Sequence, residues 1–206
     1  MKTVGIGLVG CGVVGGGVVK NLQKNHALIA SRSGVDLQVQ KVAVRDLNKD
    51  RGIDASFLTT SWKEVVEDPK VDVVVELMGG LDEAAEVALA AVEAGKPLVT
   101  ANKALLAENG EPLFQRSAEK QVPVYFEASI AGGIPIVKAL SEGLRANRIE
   151  RLNGIINGTC NYILTRMEAE KQDFSEILAE AKELGYAEVD ESLDVDGIEQ
   201  PCALHR

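Results

Sequence analysis

The chain has 206 residues, enough for one large domain or one and a half, and 46% hydrophobic against 26% charged residues is the balance of a globular protein with material for a core. Its 22 Lys plus Arg face 31 Asp plus Glu, a formal net charge of −9 with no basic run. That argues against nucleic acid and anionic membrane surfaces as partners, but not against local cationic pockets.

No secretory leader pattern and no apolar run of membrane-spanning length is present, so a cytoplasmic location is expected. Cys11, Cys160 and Cys202 are widely spaced, which favours free thiols in a reducing compartment over zinc or disulfides. His26 and His205 do not suggest a histidine-centred mechanism.

The first element is an apolar run from Thr3, followed by glycines and a helix over 13–29. Two stretches fit G-x-G-x-x-G, beginning at Gly5 and at Gly10, but the first lies inside the run that must be the strand. In the second, Gly10 permits the tight turn, Gly12 lets backbone approach a diphosphate, and Gly15 lets helix pack on strand. The N–H groups opening the helix, at Val13 and Val14, would receive the phosphates. A glycine-rich turn can also serve close packing alone; with its strand and helix in place, it points to a dinucleotide cofactor.

Ser31–Gly34 breaks the helix, and alternating residues 37–44 read as the second strand. Past such a strand, an acid binds the free 2′-hydroxyl of NAD and an arginine accommodates the 2′-phosphate of NADP. Arg45 and Asp46 offer both. The order leans towards NADP or dual use, and a solvated pair at a strand end is the alternative.

Ser61 and Glu64 read as a capping box for a short helix to Asp68. Residues 71–76 form a third strand ending in Leu77-Met78-Gly79-Gly80, at the carboxyl edge where ligands of open α/β sheets bind. Asp82 can cap a helix over 83–94 with Gly95 as its stop. A fourth strand over 97–100 leads into Ala101-Asn102-Lys103, helical material over 104–120 is broken near Asn109-Gly110, and 122–126 is the fifth strand. Five strands alternating with helices predict a doubly wound parallel sheet.

After Glu127 the texture changes to a small-residue linker through Pro135, then a short helix over 136–144, a strand over 149–156, and helices over 160–171 and 173–184, the last with Asp173 and Glu176 as a capping box. The expected organisation is a dinucleotide-binding domain over 1–130 and a partial substrate-binding and dimerisation domain over 131–206. The fold class is α/β, a Rossmann-type sheet followed by an incomplete α+β domain.

Six segments together resemble the homoserine dehydrogenase family: 10–15, Glu76-Leu-Met-Gly-Gly80, Val99-Thr-Ala-Asn-Lys103, Glu127-Ala-Ser-Ile-Ala-Gly-Gly-Ile-Pro135, Asn157-Gly-Thr-Cys-Asn-Tyr-Ile-Leu164, and 185–190 with 194–197. The resemblance implies NAD(P)-dependent interconversion of aspartate 4-semialdehyde and L-homoserine, a step of threonine, methionine and isoleucine biosynthesis. It makes Met78, Gly79 and Gly80 the floor under the nicotinamide. Lys103 becomes the lysine shared by cofactor and substrate, where a cation would polarise the aldehyde oxygen; taken alone it would read as a solvated helix-start lysine.

The resemblance places Glu188 opposite the substrate ammonium, with Asp194 and Glu199 nearby; in so acidic a chain, solvated loop acids are the alternative reading. It also implies a monovalent cation, Na or K, near Glu127, Ile130, Gly132 and Ile134, and a homodimer. One departure stands out: the family's second lysine, its general acid and base, is replaced by Ala203, and alanine has no proton to give. The tail from Gln200 departs from the family pattern, so a truncation or shifted frame near residue 199 is expected, with genuine divergence as the alternative. The alternative function is a fragment that binds the dinucleotide without efficient turnover.

Overall fold

The computed structural model describes residues 1–155 and 157–184. The chain divides into two compact units, Met1–Lys138 and Ala139–Arg206.

The first unit is built on six strands: β1 (Lys2–Val9), β2 (Val35–Ala43), β3 (Leu58–Thr59), β4 (Val73–Glu76), β5 (Leu98–Thr100) and β6 (Val124–Tyr125). They form one sheet in the order β3-β2-β1-β4-β5-β6, every pairing parallel. The chain starts in the middle, runs out to β3, then crosses back past β1 to β4, so the order reverses between β1 and β4. That reversal leaves a crevice at their carboxyl ends.

Helices cover both faces because successive strand residues point to opposite sides. On one face Ile6, Leu8, Val42 and Val75 bury against Val19 of α1 (Val13–Lys24). On the other, Val9, Val74 and Leu98 bury against α3 (Trp62–Glu67), α4 (Asp82–Glu93) and α5 (Lys103–Lys120). Residues such as Val74, Val87 and Leu105 are wholly buried, each stabilising by roughly 1.5–3 kcal/mol.

The structure differs from the sequence reading where local signals compete with packing. The first helix ends at Lys24, and α2 (His26–Ser33) follows after Asn25. The two-residue β3 carries too short a pattern to announce itself, which makes six strands rather than five. Helix α5 runs unbroken through Asn109-Gly110 and Pro112, because Leu105, Gly110 and Leu113 are buried along its length and packing overrides propensity. None of the three side-chain caps expected at Ser61, Asp82 and Asp173 forms. Leu81, not Asp82, is the N-cap of α4, while Asp82 and Glu83 instead place negative charge in its first turn.

In the second unit, α7 (Gly158–Glu170) and α8 (Phe174–Glu183) pair around Ile163, Ile177 and Ala181. The short α6 (Ile136–Lys138) precedes it, at the end of the first unit. The strand expected over 149–156 is absent from residues 149–155, and residue 156 lies outside the described residues. A strand needs a hydrogen-bonding neighbour, and none exists for it among the described residues.

Two consequences are measurable. Arg116 and Lys120 on α5 both bond the Glu93 carboxylate on α4, the Arg116 bond being the larger cause that lowers its pKa from the ordinary 4.5 to about 2. Because the folded value is the depressed one, this stabilisation is present above 4.5 and lost as pH falls towards about 2. Glu93→Gln should lower the melting temperature at neutral pH, and the gap to the parent chain should close across that acid range.

At Gly15 an added Cβ would lie 2.3 Å from the Gly10 carbonyl oxygen, whereas at exposed Gly17 it would meet nothing within 4 Å. Gly15→Ala should destabilise by about 2 kcal/mol or more, and Gly17→Ala should stabilise by roughly 0.5–1 kcal/mol. Thermal melts of the two variants check both signs.

Candidate functional site

The crevice begins where β1 ends. Gly10 has φ +97°, a conformation side chains rarely adopt, and a Cβ there would lie 2.5 Å from the Leu77 carbonyl oxygen at the end of β4. Its N–H donates to Ala43 O at 3.0 Å, tying the turn to the end of β2 as well. Gly12 is the N-cap of α1, and a Cβ on it would meet nothing within 4 Å, so this face of the turn lies open. Val13 and Val14, 95% and 58% exposed, lead the helix, where N–H groups lack intrahelical acceptors. No acidic residue sits in that first turn, so the positive end of the helix dipole faces outward uncompensated.

A cleft of about 380 Å³ opens here, lined by Gly10, Cys11 and Gly12 on the turn, Arg45, Lys49 and Arg51 past β2, and Leu77 and Met78 past β4. Ala43, Val44 and Trp62 add an apolar wall. Three cations thus meet in one cleft of a net acidic chain, with Glu83 from the first turn of α4 as the acid on its lining.

Arg51, which the sequence reading passed over, fastens the loop: its guanidinium donates to the carbonyls of Asp46 and Lys49, each at 2.7 Å, and of Cys11 at 3.3 Å. It sits in a charged loop whose pattern reads as solvated, so no short-range signal marks it. Asp46 turns its carboxylate onto the Asn48 N–H at 2.8 Å and does not line the cleft. Burial pushes the Cys11 thiol pKa up, with Arg51 opposing, which keeps it a poor nucleophile.

Gly79 and Gly80, both at positive φ, complete the loop that Met78 begins. The Asn102 side chain grips this loop, donating from Nδ2 to Gly80 O at 2.7 Å while Oδ1 caps α5 by accepting from the Leu105 N–H at 3.0 Å. Lys103 is the first residue of α5, so the same contact sets where the lysine starts, though Lys103 itself does not line the cleft. The structure therefore brings Gly10, Gly12, Arg45 and Met78 together around one cleft.

Elsewhere, Glu127 commits both carboxylate oxygens to N–H groups, those of Val137 at 2.9 Å and Lys138 at 2.8 Å, while its carbonyl accepts from Ile130. Gly132, with φ +58°, and Ile134, bonded to Ala131 O, follow in a tight turn. Among the described residues no group of three or more His, Cys, Asp or Glu is placed to hold a metal, and no helix is long and apolar enough to cross a membrane. Glu188, Asp194, Glu199 and Ala203 lie outside the described residues.

Residues 10–127 match the family model for the homoserine dehydrogenase NAD binding domain, and residues 135–204 match the model for homoserine dehydrogenase, a span that includes most of the tail from Gln200. The homoserine dehydrogenase of Pseudomonas aeruginosa is 48% identical over 199 residues, covering 97% of this chain and 46% of that protein. The crystal structure of a homoserine dehydrogenase from Thiobacillus denitrificans superposes with a TM-score of 0.91 at 48% identity, over 99% of this chain and 48% of that one. A hyperthermophilic archaeal homoserine dehydrogenase in complex with NADPH superposes with a TM-score of 0.81 at 28% identity, over 98% of this chain and 67% of the other. The chain spans about half the length of the curated relatives it matches. With the glycine turn, the Met78 loop and the α5 cap all inside the first match, the chain belongs to the homoserine dehydrogenase family.

Proposed function

We propose that this chain holds the dinucleotide of a homoserine dehydrogenase, with NADP preferred, and that its protein interconverts aspartate 4-semialdehyde and L-homoserine. The observation that carries the cofactor choice is the cleft past β2: Arg45, Lys49 and Arg51 line it, while Asp46 is folded onto its own loop. A 2′-phosphate needs cations there, and a free 2′-hydroxyl needs an acid. The NADPH complex of the archaeal relative supports the same reading.

The residues fit such a group. The open face at Gly12 gives room for a diphosphate, and the leading N–H groups of α1 would bind it. The nicotinamide supplies hydride transfer when bound. Met78, Gly79 and Gly80 would orient its ring, and Lys103 would stabilise negative charge developing on the aldehyde oxygen. Glu188 would pair with the substrate ammonium, with Asp194 and Glu199 beside it. Residues 1–130 would bind cofactor and 131–206 substrate and partner. A monovalent cation would be held by backbone carbonyls near Glu127, Ile130, Gly132 and Ile134.

A homodimer through the second unit is supported by Leu152, Ile155 and Leu164, each more than 60% exposed. A second reading, dinucleotide binding without efficient turnover, is favoured by Ala203, which cannot act as the proton donor at the substrate oxygen.

Fluorescence titration should show NADPH binding at least about tenfold tighter than NADH, with Arg45→Ala removing most of that difference. Equal affinities would contradict the NADP assignment. Gly12→Ala meets no neighbour but loses a favoured N-cap, so it should lower the melting temperature only slightly and weaken NADPH by about tenfold or more. Homoserine oxidation with NADP then separates the two readings: turnover supports the enzyme, binding without turnover supports the binding module, and no binding removes both. Sedimentation at micromolar concentration should give a dimer, and a monomer would contradict the proposed interface.

A further inference from the structure

Glu76 is the last residue of β4 and is wholly buried. The rest of that strand is valine, so an apolar residue would suit the position, and burying a carboxyl group is costly unless its oxygens are satisfied. Both are. Oε1 accepts from the Met78 N–H at 2.9 Å, and Oε2 accepts from the Thr100 hydroxyl at 2.6 Å.

Thr100 is the register partner of Glu76 on β5, so that bond adds a side-chain link to the last rung of the ladder, while Met78 lies past the end of β4. Met78 lines the cleft, and Thr100 leads to the start of α5. Thr100 Oγ1 in turn accepts from the Asn102 N–H at 3.0 Å, and Asn102 Nδ2 reaches Gly80 O at 2.7 Å. The bonds close a ring: Glu76 to Met78, along the chain to Gly80, across to Asn102, back through Thr100 to Glu76. Ser129 Oγ, buried and donating to Thr100 O at 2.9 Å, braces the ring from outside. Such a ring has few alternative arrangements, because opening any bond leaves a buried polar group without its partner.

We propose that Glu76 is a positioning residue that fixes the Met78–Gly80 loop relative to the Lys103 end of α5, and so sets where the nicotinamide end of the dinucleotide lies. This rests on reading the cleft as a dinucleotide site. The ring touches the β4 and β5 ends and leaves the Arg45 side of the cleft untouched. Its loss should therefore act on one half of the ligand only. A merely structural role would weaken both halves together.

The test compares two ligands by calorimetry on the full chain: NADPH, and adenosine 2′,5′-bisphosphate, which has the adenine end but no nicotinamide. In Glu76→Gln the side chain retains one acceptor for Met78 but turns an amide donor towards Thr100, so the Thr100 hydroxyl, which also accepts from Asn102, loses the acceptor for its own hydrogen at nearly constant volume. NADPH affinity should fall about tenfold while the bisphosphate stays within about twofold of the parent. Thr100→Val should give the same split, and Thr100→Ser, which keeps the hydroxyl, should restore NADPH binding. If Glu76→Gln does not fold, the Thr100 pair decides. Unchanged NADPH affinity, or equal loss of both ligands, overturns the proposal. A parent chain that binds neither ligand overturns the dinucleotide reading and this inference with it.

Discussion

The structure depends on one close approach. Between the end of β1 and the end of β4 there is no room for a side chain at Gly10, whose missing Cβ would stand 2.5 Å from the Leu77 carbonyl. Two parallel strands that diverge into opposite crossovers leave a crevice between their ends, and Gly10 lets the chain turn inside it. Gly15 then allows α1 to lie against that turn, which aims the helix N-terminus along the crevice. A larger residue at either place would move the helix, the cleft or both.

The cleft also shows how little net charge says about a binding site. The chain carries −9, yet the loop past β2 brings Arg45, Lys49 and Arg51 to one wall. Arg51 does two jobs: its donors bind the loop carbonyls and stitch that loop to the glycine turn at Cys11 O. The opposite end of the crevice is held instead through Asn102 and the buried Glu76 ring. One end is therefore cationic and suited to phosphate, and the other is a rigid backbone loop suited to a flat ring.

Much of this was legible in the sequence because it depends on local chemistry. The glycine spacing marked the turn, apolar runs marked the strands at the sheet centre, and Met78, Gly79 and Gly80 followed from where β4 had to end. What was not legible depends on contacts distant in sequence. Arg51 meets Cys11 across 40 positions and Thr100 meets Glu76 across 24, and no periodic pattern encodes either. The same limit explains α5, whose Asn109-Gly110 looks like a stop but is held helical by buried neighbours, and residues 149–155, whose alternation suggested a strand without supplying a neighbour. Asn102 is of a residue type favoured as a helix cap, so its role at the start of α5 follows from local chemistry, whereas its grip on Gly80 does not.

The central claim is that this crevice holds NADP with its phosphates on the glycine turn. A crystal structure of the chain grown with NADP tests it most directly. The account expects the diphosphate against the N–H groups of Val13 and Val14, and the 2′-phosphate within hydrogen-bonding reach of Arg45 or Arg51. A ribose held by Asp46 with its 2′-phosphate facing solvent, or a dinucleotide bound away from Gly12, would contradict it.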